Sequence, residues 1–390
     1  MLIAGDFCPN YRISEMIEKG NFEGVFGDMK NILAESDYSI VNFESTILKE
    51  QSTDPIDKCG PNLKQNSNVI ESLKYAGFNA VTLANNHFSD FGHSGVLDTI
   101  EAIKNAQLDY VGGGINKEDA SKILYKQIDY FNIAFINICE NEFTIATENE
   151  GGANPLNPVI NYYQIAEAHK NADFVIVIIH GGPEHYQLPT PRMKETYKFF
   201  IDSGADVIIN HHQHCYSGYE IYRNKPIFYG IGNFSFDSKT KQKDIWYEGF
   251  VVLLKFQKES IDFQLIPYFQ GRDNPGISLM KDAAIDKFFS NVEKLNSIIS
   301  APDQLNEHYN QFIEETYMDY ICNLNPYQNN FLRKLVKKGI LPKRIADEIL
   351  PDFWTKDRML NMISFFQCES HNERCLKSLR FHYKKVKKNN

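Results

Sequence analysis

Short runs of consecutive apolar residues alternate with amphipathic stretches over roughly the first 235 positions of the chain. The apolar runs are Met1–Ala4, Tyr38–Phe43, Ala80–Leu83, Ile133–Ile138, Phe174–Ile179 and Val207–Ile209. Odd and even positions are apolar alike, which predicts strands buried on both faces. Between them, Asn66–Ala76, Ser94–Ala106, Tyr162–Asn171 and Met193–Ser203 carry apolar residues at helical spacing. Strands alternating with helices of this length predict an α/β fold with a mainly parallel core. The later strands differ. Pro226–Tyr229, Phe250–Phe256 and Ile261–Pro267 are separated by short polar turns, and KFQKESIDFQL reads as a hairpin turning near Glu259–Ser260. Antiparallel additions to the parallel core are therefore expected. From about Asp282 strand signals stop, and Ile285–Ile299, Leu305–Leu324 and Gln328–Lys338 read as helices. The expected division is a domain over 1–280 and a helical, basic region over 281–390.

Polar residues punctuate the apolar runs in one place, the carboxyl end. The first run leads to Asp6, the second to Asn42 and Glu44, and the third to Asn85, Asn86 and His87. FVIVIIHGGPEH delivers His180, Glu184 and His185, and DVIINHHQH delivers His211, His212 and His214. Any one of these reads equally as a helix cap, a turn former or a satisfied core histidine. In open α/β sheets, however, ligands bind outside the carboxyl ends of the strands, so groups scattered over positions 6 to 214 converge on one site. His212-x-His214 at an extended strand end would point two imidazoles the same way, toward a metal ion. Carboxylate, amide and imidazole donors together favour Mn, Fe or Zn. Two such ions bridged by a carboxylate suit hydrolysis of a phosphate ester, with His87 beside Asn86 protonating the leaving oxygen.

Composition narrows the class. The 390 residues are 43% hydrophobic and 23% charged, which excludes a disordered, fibrous or coiled-coil chain. Seven cysteines without a C-x-x-C pair fit reduced thiols and a cytoplasmic location. With no run of 18 apolar residues, no transmembrane helix is expected, and the opening MLIAGDFCPN, which reads as a strand, predicts no signal peptide. The net charge of −9 conceals an asymmetry: positions 331–390 hold 15 basic and 6 acidic residues, leaving −18 on the rest. The tail, with Lys384, Lys385, Lys387 and Lys388 near Phe381 and Tyr383, reads first as a solvated helix. A peripheral contact with an anionic membrane is the next reading. No nucleic-acid motif accompanies it, so no specific nucleic acid is expected as a partner.

Six ordered segments carry a family resemblance. They are Gly5–Asp6, Val41–Ser45 (VNFES), Leu83–Gly92 (LANNHFSDFG), Ile178–Tyr186 (IIHGGPEHY), Asn210–Glu220 (NHHQHCYSGYE) and Lys225–Phe236 (KPIFYGIGNFSF). Over roughly residues 1–270 the sequence resembles the CapA-type bacterial capsule proteins of poly-γ-glutamate synthesis, which are similar in turn to calcineurin-like metallophosphoesterases. The resemblance implies a layered α/β/β/α sandwich with two central sheets. It implies Asp6 as a shared carboxylate, Glu44 as the second acid, and Asn86 and His87 as ligand and general acid. His180, His212 and His214 are implied as further ligands of one or two divalent ions. Glu184 and Asn233 fall in family signatures without an assigned role, and Asn42, Asn85 and Asp90 are placed with them as substrate-binding or supporting residues. The implied activity is a metal-dependent hydrolase, a phosphoesterase acting on a small phosphate ester or an acidic polymer precursor in capsule biosynthesis. Departures keep a second function open. Cys8 stands where the phosphoesterases place a histidine, Asn210 replaces a glycine, and Gln213 replaces a proline. A metal-depleted, non-catalytic component of a polymer-synthesis or export complex is the alternative.

Overall fold

All seven residues of the first strand, β1 (Leu2–Cys8), are buried, yet the side chains of its first half and of Phe7 divide between two cores. Leu2, Ala4 and Phe7 enter one, while Ile3 enters the other. The same division explains every apolar run, because successive side chains of a strand leave opposite faces of its sheet. The structure is a computed structural model that describes residues 1–49, 53–258, 260–324, 340 and 355–388.

Two sheets are stacked. The first begins with β1, β2 (Ser39–Phe43), β3 (Ala80–Thr82) and β4 (Asp109–Val111), all parallel neighbours. The second holds β5 (Leu124–Ile128), β6 (Phe131–Cys139), β7 (Phe174–His180), β8 (Val207–His211), β9 (Tyr219–Tyr222) and β10 (Lys225–Phe228), in the order β9-β10-β8-β7-β6-β5. The chain then returns to the first sheet with β11 (Asn233–Phe236), β12 (Glu248–Phe256), β13 (Ile261–Phe269) and β14 (Ser278–Leu279). β12 pairs antiparallel with β1, and β11 pairs parallel with it. The expected hairpin is β12–β13, closed by Gln257 N donating to Ser260 O at 2.9 Å; Glu259 lies outside the described residues.

Ile3, Ile40, Phe135, Ile176, Ile178, Ile209 and Val252 fill the space between the sheets. Helices Tyr11–Glu18, Asn68–Ala76 and Gly92–Asn105 cover the outer face of the first sheet, and Pro158–Asn171 and Pro191–Asp202 that of the second. The expected α/β/β/α sandwich is thus the observed layering. Helix starts follow local chemistry: Asn157 and Thr190 cap the last two helices with their side chains, each before a proline in the first turn.

The chain divides into a unit of Met1–Ile56 with Asn62–Asn306 and a second of Asp57–Pro61 with Glu307–Asn390. Helix Ala283–Ser300, beyond position 280, belongs to the first: Phe288 packs on Tyr216 and Phe250 at 5.0 and 5.7 Å between ring centres. In the second unit, helices Lys356–Gln367 and Glu369–Lys388 pack together, and Phe365 sits 4.6 Å from the Tyr320 ring. The expected helix over Gln328–Lys338 lies outside the described residues. No helix among them is long and apolar enough to cross a membrane.

Candidate functional site

The carboxyl ends of β1, β2, β3, β7 and β8 meet at one edge of the sandwich. Asp6 and Asn42 are neighbours in the β1–β2 register, and the Asn42 amide donates to Asp6 Oδ1 at 2.7 Å. The same amide nitrogen lies 3.2 Å from His180 Nδ1, so one side chain ties the first sheet to the second. Asn42 Oδ1 accepts from Thr82 and Asn85 at 3.1 and 3.2 Å. Asn85 also donates to Phe43 O and accepts the His87 amide, which shapes the turn after β3.

Two groups of donors result. Glu44, His180 and His212 offer ligand atoms within 4.8 Å of one another, and so do Asp6, Glu44 and His214. Glu44 is common to both; Asp6, expected as the shared carboxylate, falls in one. Glu44 Oε1 lies 3.7 Å from His180 Nε2 and 3.9 Å from His214 Nε2. Asn86 Oδ1 sits 3.1 Å from His180 Nε2, beside the first group. All five group members are buried. Burial holds the His180 imidazole well below its usual range, with the neighbouring imidazoles adding to the effect, and it depresses His212 as well. A neutral ring keeps its lone pair for a metal, so donor type, closeness and protonation all fit one or two divalent ions.

The His212-x-His214 pair is not made by strand alternation. β8 ends at His211, and His212 and His214 take positive φ values of 89° and 53° in the turn beyond it. Polar anchors hold this conformation: the His212 amide donates to Asp6 Oδ2 at 3.2 Å, and His214 Nδ1 meets Asn233 Oδ1 at 2.9 Å. Asn233 opposes Asp6 in the β1–β11 register and so orients a ring, the usual task of a group behind a metal-binding imidazole.

His87 is buried with Nδ1 at 2.7 Å from Asp90 Oδ2. Glu184 departs from the buried set: half of its side chain is exposed, next to His185. Cys8 belongs to neither donor group. Asn10 and Ser45 donate to its sulfur, and burial raises its thiol far above the usual range.

Three contributors escaped the sequence reading. Asn137, on β6, accepts from Leu83 N and Ala84 N and donates to Ile178 O. It thereby pins the β3 turn to the second sheet, and a lone amide inside the apolar run FINIC was its signal. Thr144 donates to Asn85 O from a loop without a pattern. Trp246 lies 5.0 Å from the His214 ring and walls the site.

Comparison with known proteins bears on this arrangement. The model of a family described as bacterial capsule synthesis protein PGA_cap matches residues 1–238. The capsule biosynthesis protein CapA of Bacillus anthracis is 35% identical over 253 residues, 63% of this chain and 61% of that protein. The PGA biosynthesis protein CapA of Bacillus subtilis (strain 168) is 33% identical over 237 residues, 60% of this chain and 62% of that protein. The chain thus matches about three fifths of the length of these relatives. Among solved structures, a hypothetical protein from Thermus thermophilus aligns with a TM-score of 0.44 and 11% identity, over 72% of this chain and 100% of that one.

Proposed function

The chain belongs to the PGA_cap family of bacterial capsule synthesis proteins, and on that premise we propose that it is a metal-dependent hydrolase of the phosphoesterase type acting in surface-polymer biosynthesis. One observation carries the reading: Glu44 is common to two buried donor groups, as a carboxylate between two ions would be.

In this reading Asp6, Glu44, Asn86, His180, His212 and His214 hold one or two divalent ions. When bound, such ions would lower the pKa of a water and offset negative charge on a phosphate ester. The chain's own residues supply the rest. Asn42 keeps Asp6 and His180 in register, and Asn233 fixes the His214 ring. Asp90 accepts from Nδ1 of His87 and aims Nε2 at the site, so the ring can pass a proton to the leaving oxygen from Nε2 when both nitrogens are protonated. The substrate would be a small phosphate ester or an acidic polymer precursor.

Cys8 favours a second reading. Its buried, protonated thiol is a poor ligand, so a depleted site could serve as a non-catalytic part of a polymer-synthesis complex.

The deciding experiment is metal analysis of protein purified without added metal or chelator, beside His212→Ala and His87→Ala. About one or two equivalents of Mn, Fe or Zn, largely lost in His212→Ala and kept in His87→Ala, is the expected result. Phosphate-ester cleavage should then vanish in His87→Ala. No metal in the parent protein, and none taken up on incubation, overturns the hydrolase reading. Less than one equivalent of metal without cleavage of any phosphate ester favours the second one.

A further inference from the structure

The second unit presents an apolar stripe without a cover among the described residues. Met359, Met362, Ile363 and Phe366 recur along helix Lys356–Gln367 at the spacing of a single helical face. Met359, Ile363 and Phe366 are 42%, 46% and 64% exposed, and with Met362 and Gln367 they line one groove. The opposite face of this helix is satisfied: Phe365 packs against Tyr320 and Cys375, and Cys368 is buried. Leu376 and Leu379 of the following helix are also exposed.

Charge accompanies the stripe. Positions 356–390 hold nine basic and three acidic residues, in a chain whose net charge is −9. Arg374 and Lys377 are engaged within the unit, over the Phe312 and Tyr309 rings. Arg380 is exposed, and the sequence adds Lys384, Lys385, Lys387 and Lys388 along the helix that ends at Lys388. Large apolar side chains and a cluster of lysine and arginine on one pair of helices are the composition of an element that lies in a lipid interface, where basic clusters add attraction to anionic headgroups. A partner protein with an apolar groove would account for the stripe alone; a polyanion such as nucleic acid would account for the charge alone.

We infer that helices Lys356–Gln367 and Glu369–Lys388 dock the protein on an anionic membrane surface, with Met359, Ile363 and Phe366 entering the headgroup region and the basic end held by acidic lipids. Neither contribution suffices alone, since a few apolar side chains or a few charges give only weak, reversible attachment. This docking is independent of any chemistry at the strand-end site.

The test is flotation of the full chain with phosphatidylcholine vesicles that contain about one third phosphatidylglycerol, beside pure phosphatidylcholine vesicles. Ile363→Ser with Phe366→Ser removes the stripe at exposed positions, and Lys384→Glu with Lys385→Glu reverses part of the charge. The parent should float with the anionic vesicles at low salt and not with the neutral ones. Either double variant should lower partitioning about tenfold or more while the circular-dichroism spectrum stays that of the parent. Three results overturn the inference: equal binding to neutral vesicles, binding unchanged in the stripe variant, or no flotation together with a stripe-dependent dimer in lipid-free solution.

Discussion

Nδ1 of His87 and Oδ2 of Asp90 are 2.7 Å apart, and the same oxygen accepts the Leu63 amide at 2.7 Å. The carboxylate therefore fixes both the ring plane and the tautomer of His87. Asp90→Asn preserves the volume but lets the amide nitrogen face the ring. Turnover of a phosphate ester should fall by about 10²–10⁴-fold, the usual worth of a correctly held general acid. Bound metal should not change. Parallel loss of metal and activity would mean that Asp90 supports the turn rather than the ring.

Glu44 stands in both donor groups, whereas His214 stands in one. The two substitutions should differ accordingly. Glu44→Gln should abolish retention of every ion, and His214→Ala should leave up to about half of the parent's metal if two ions are bound. Metal analysis of the two variants decides it. Equal losses would argue for a single ion spanning both groups.

Much of this site was legible because its residues follow buried strands. Asp6, Glu44 and His180 sit where an apolar run stops, and the parallel sheet turns that sequence position into a shared edge. The His212–His214 turn was not legible, since its positive φ angles depend on anchors at Asp6 and Asn233, both more than 15 positions away along the chain. Strands β4, β5 and β9 were missed for a related reason. They are short or partly exposed, so no buried run marks them, and pairing with longer neighbours defines them. Asn137 was not legible either, because the Leu83 and Ala84 amides that need its oxygen lie 54 and 53 positions away along the chain.

Gly5 tests the junction beneath Asp6. A Cβ at this position would lie 1.9 Å from Gly232 O, where β1 and the residue before β11 approach most closely. Backbone cannot yield as a flexible side chain can, so Gly5→Ala should destabilise by about 3 kcal/mol or more. Thermal denaturation should show it. The weakened register should also cost metal, because Asp6 and Asn233 face each other there. A variant with parental stability would place the strain elsewhere.

Thiol chemistry should follow burial. Cys8 and Cys215 are buried, and burial raises both thiols above their usual range, Cys8 further with Glu44 nearby. The thiolate is the reactive form, so neither should react with iodoacetamide at pH about 8 in the folded protein. Both should react once denaturant is added. Mass spectrometry of the labelled peptides reads the outcome, and rapid native labelling of Cys8 would show that the floor of the site opens.

Alkaline pH should unfold the protein through buried phenols. Tyr197 and Tyr229 stack at 5.8 Å beneath the second sheet; Tyr197 donates to Asn210 Oδ1 at 2.6 Å, and Tyr229 donates to Glu220. Burial raises both phenols well above the usual range, and the Glu220 charge raises Tyr229 further. The sign follows from linkage. Below the unfolded value, about 10, both states keep the proton and these groups add no slope. Above it the unfolded chain ionises while the folded one does not, so stability falls by about 1.4 kcal/mol per pH unit for each phenol until the folded values are reached. Urea melts at rising pH should show this decline, and Tyr197→Phe should remove one phenol's share of it. A slope that stays the same in that variant would assign the alkaline transition to other groups.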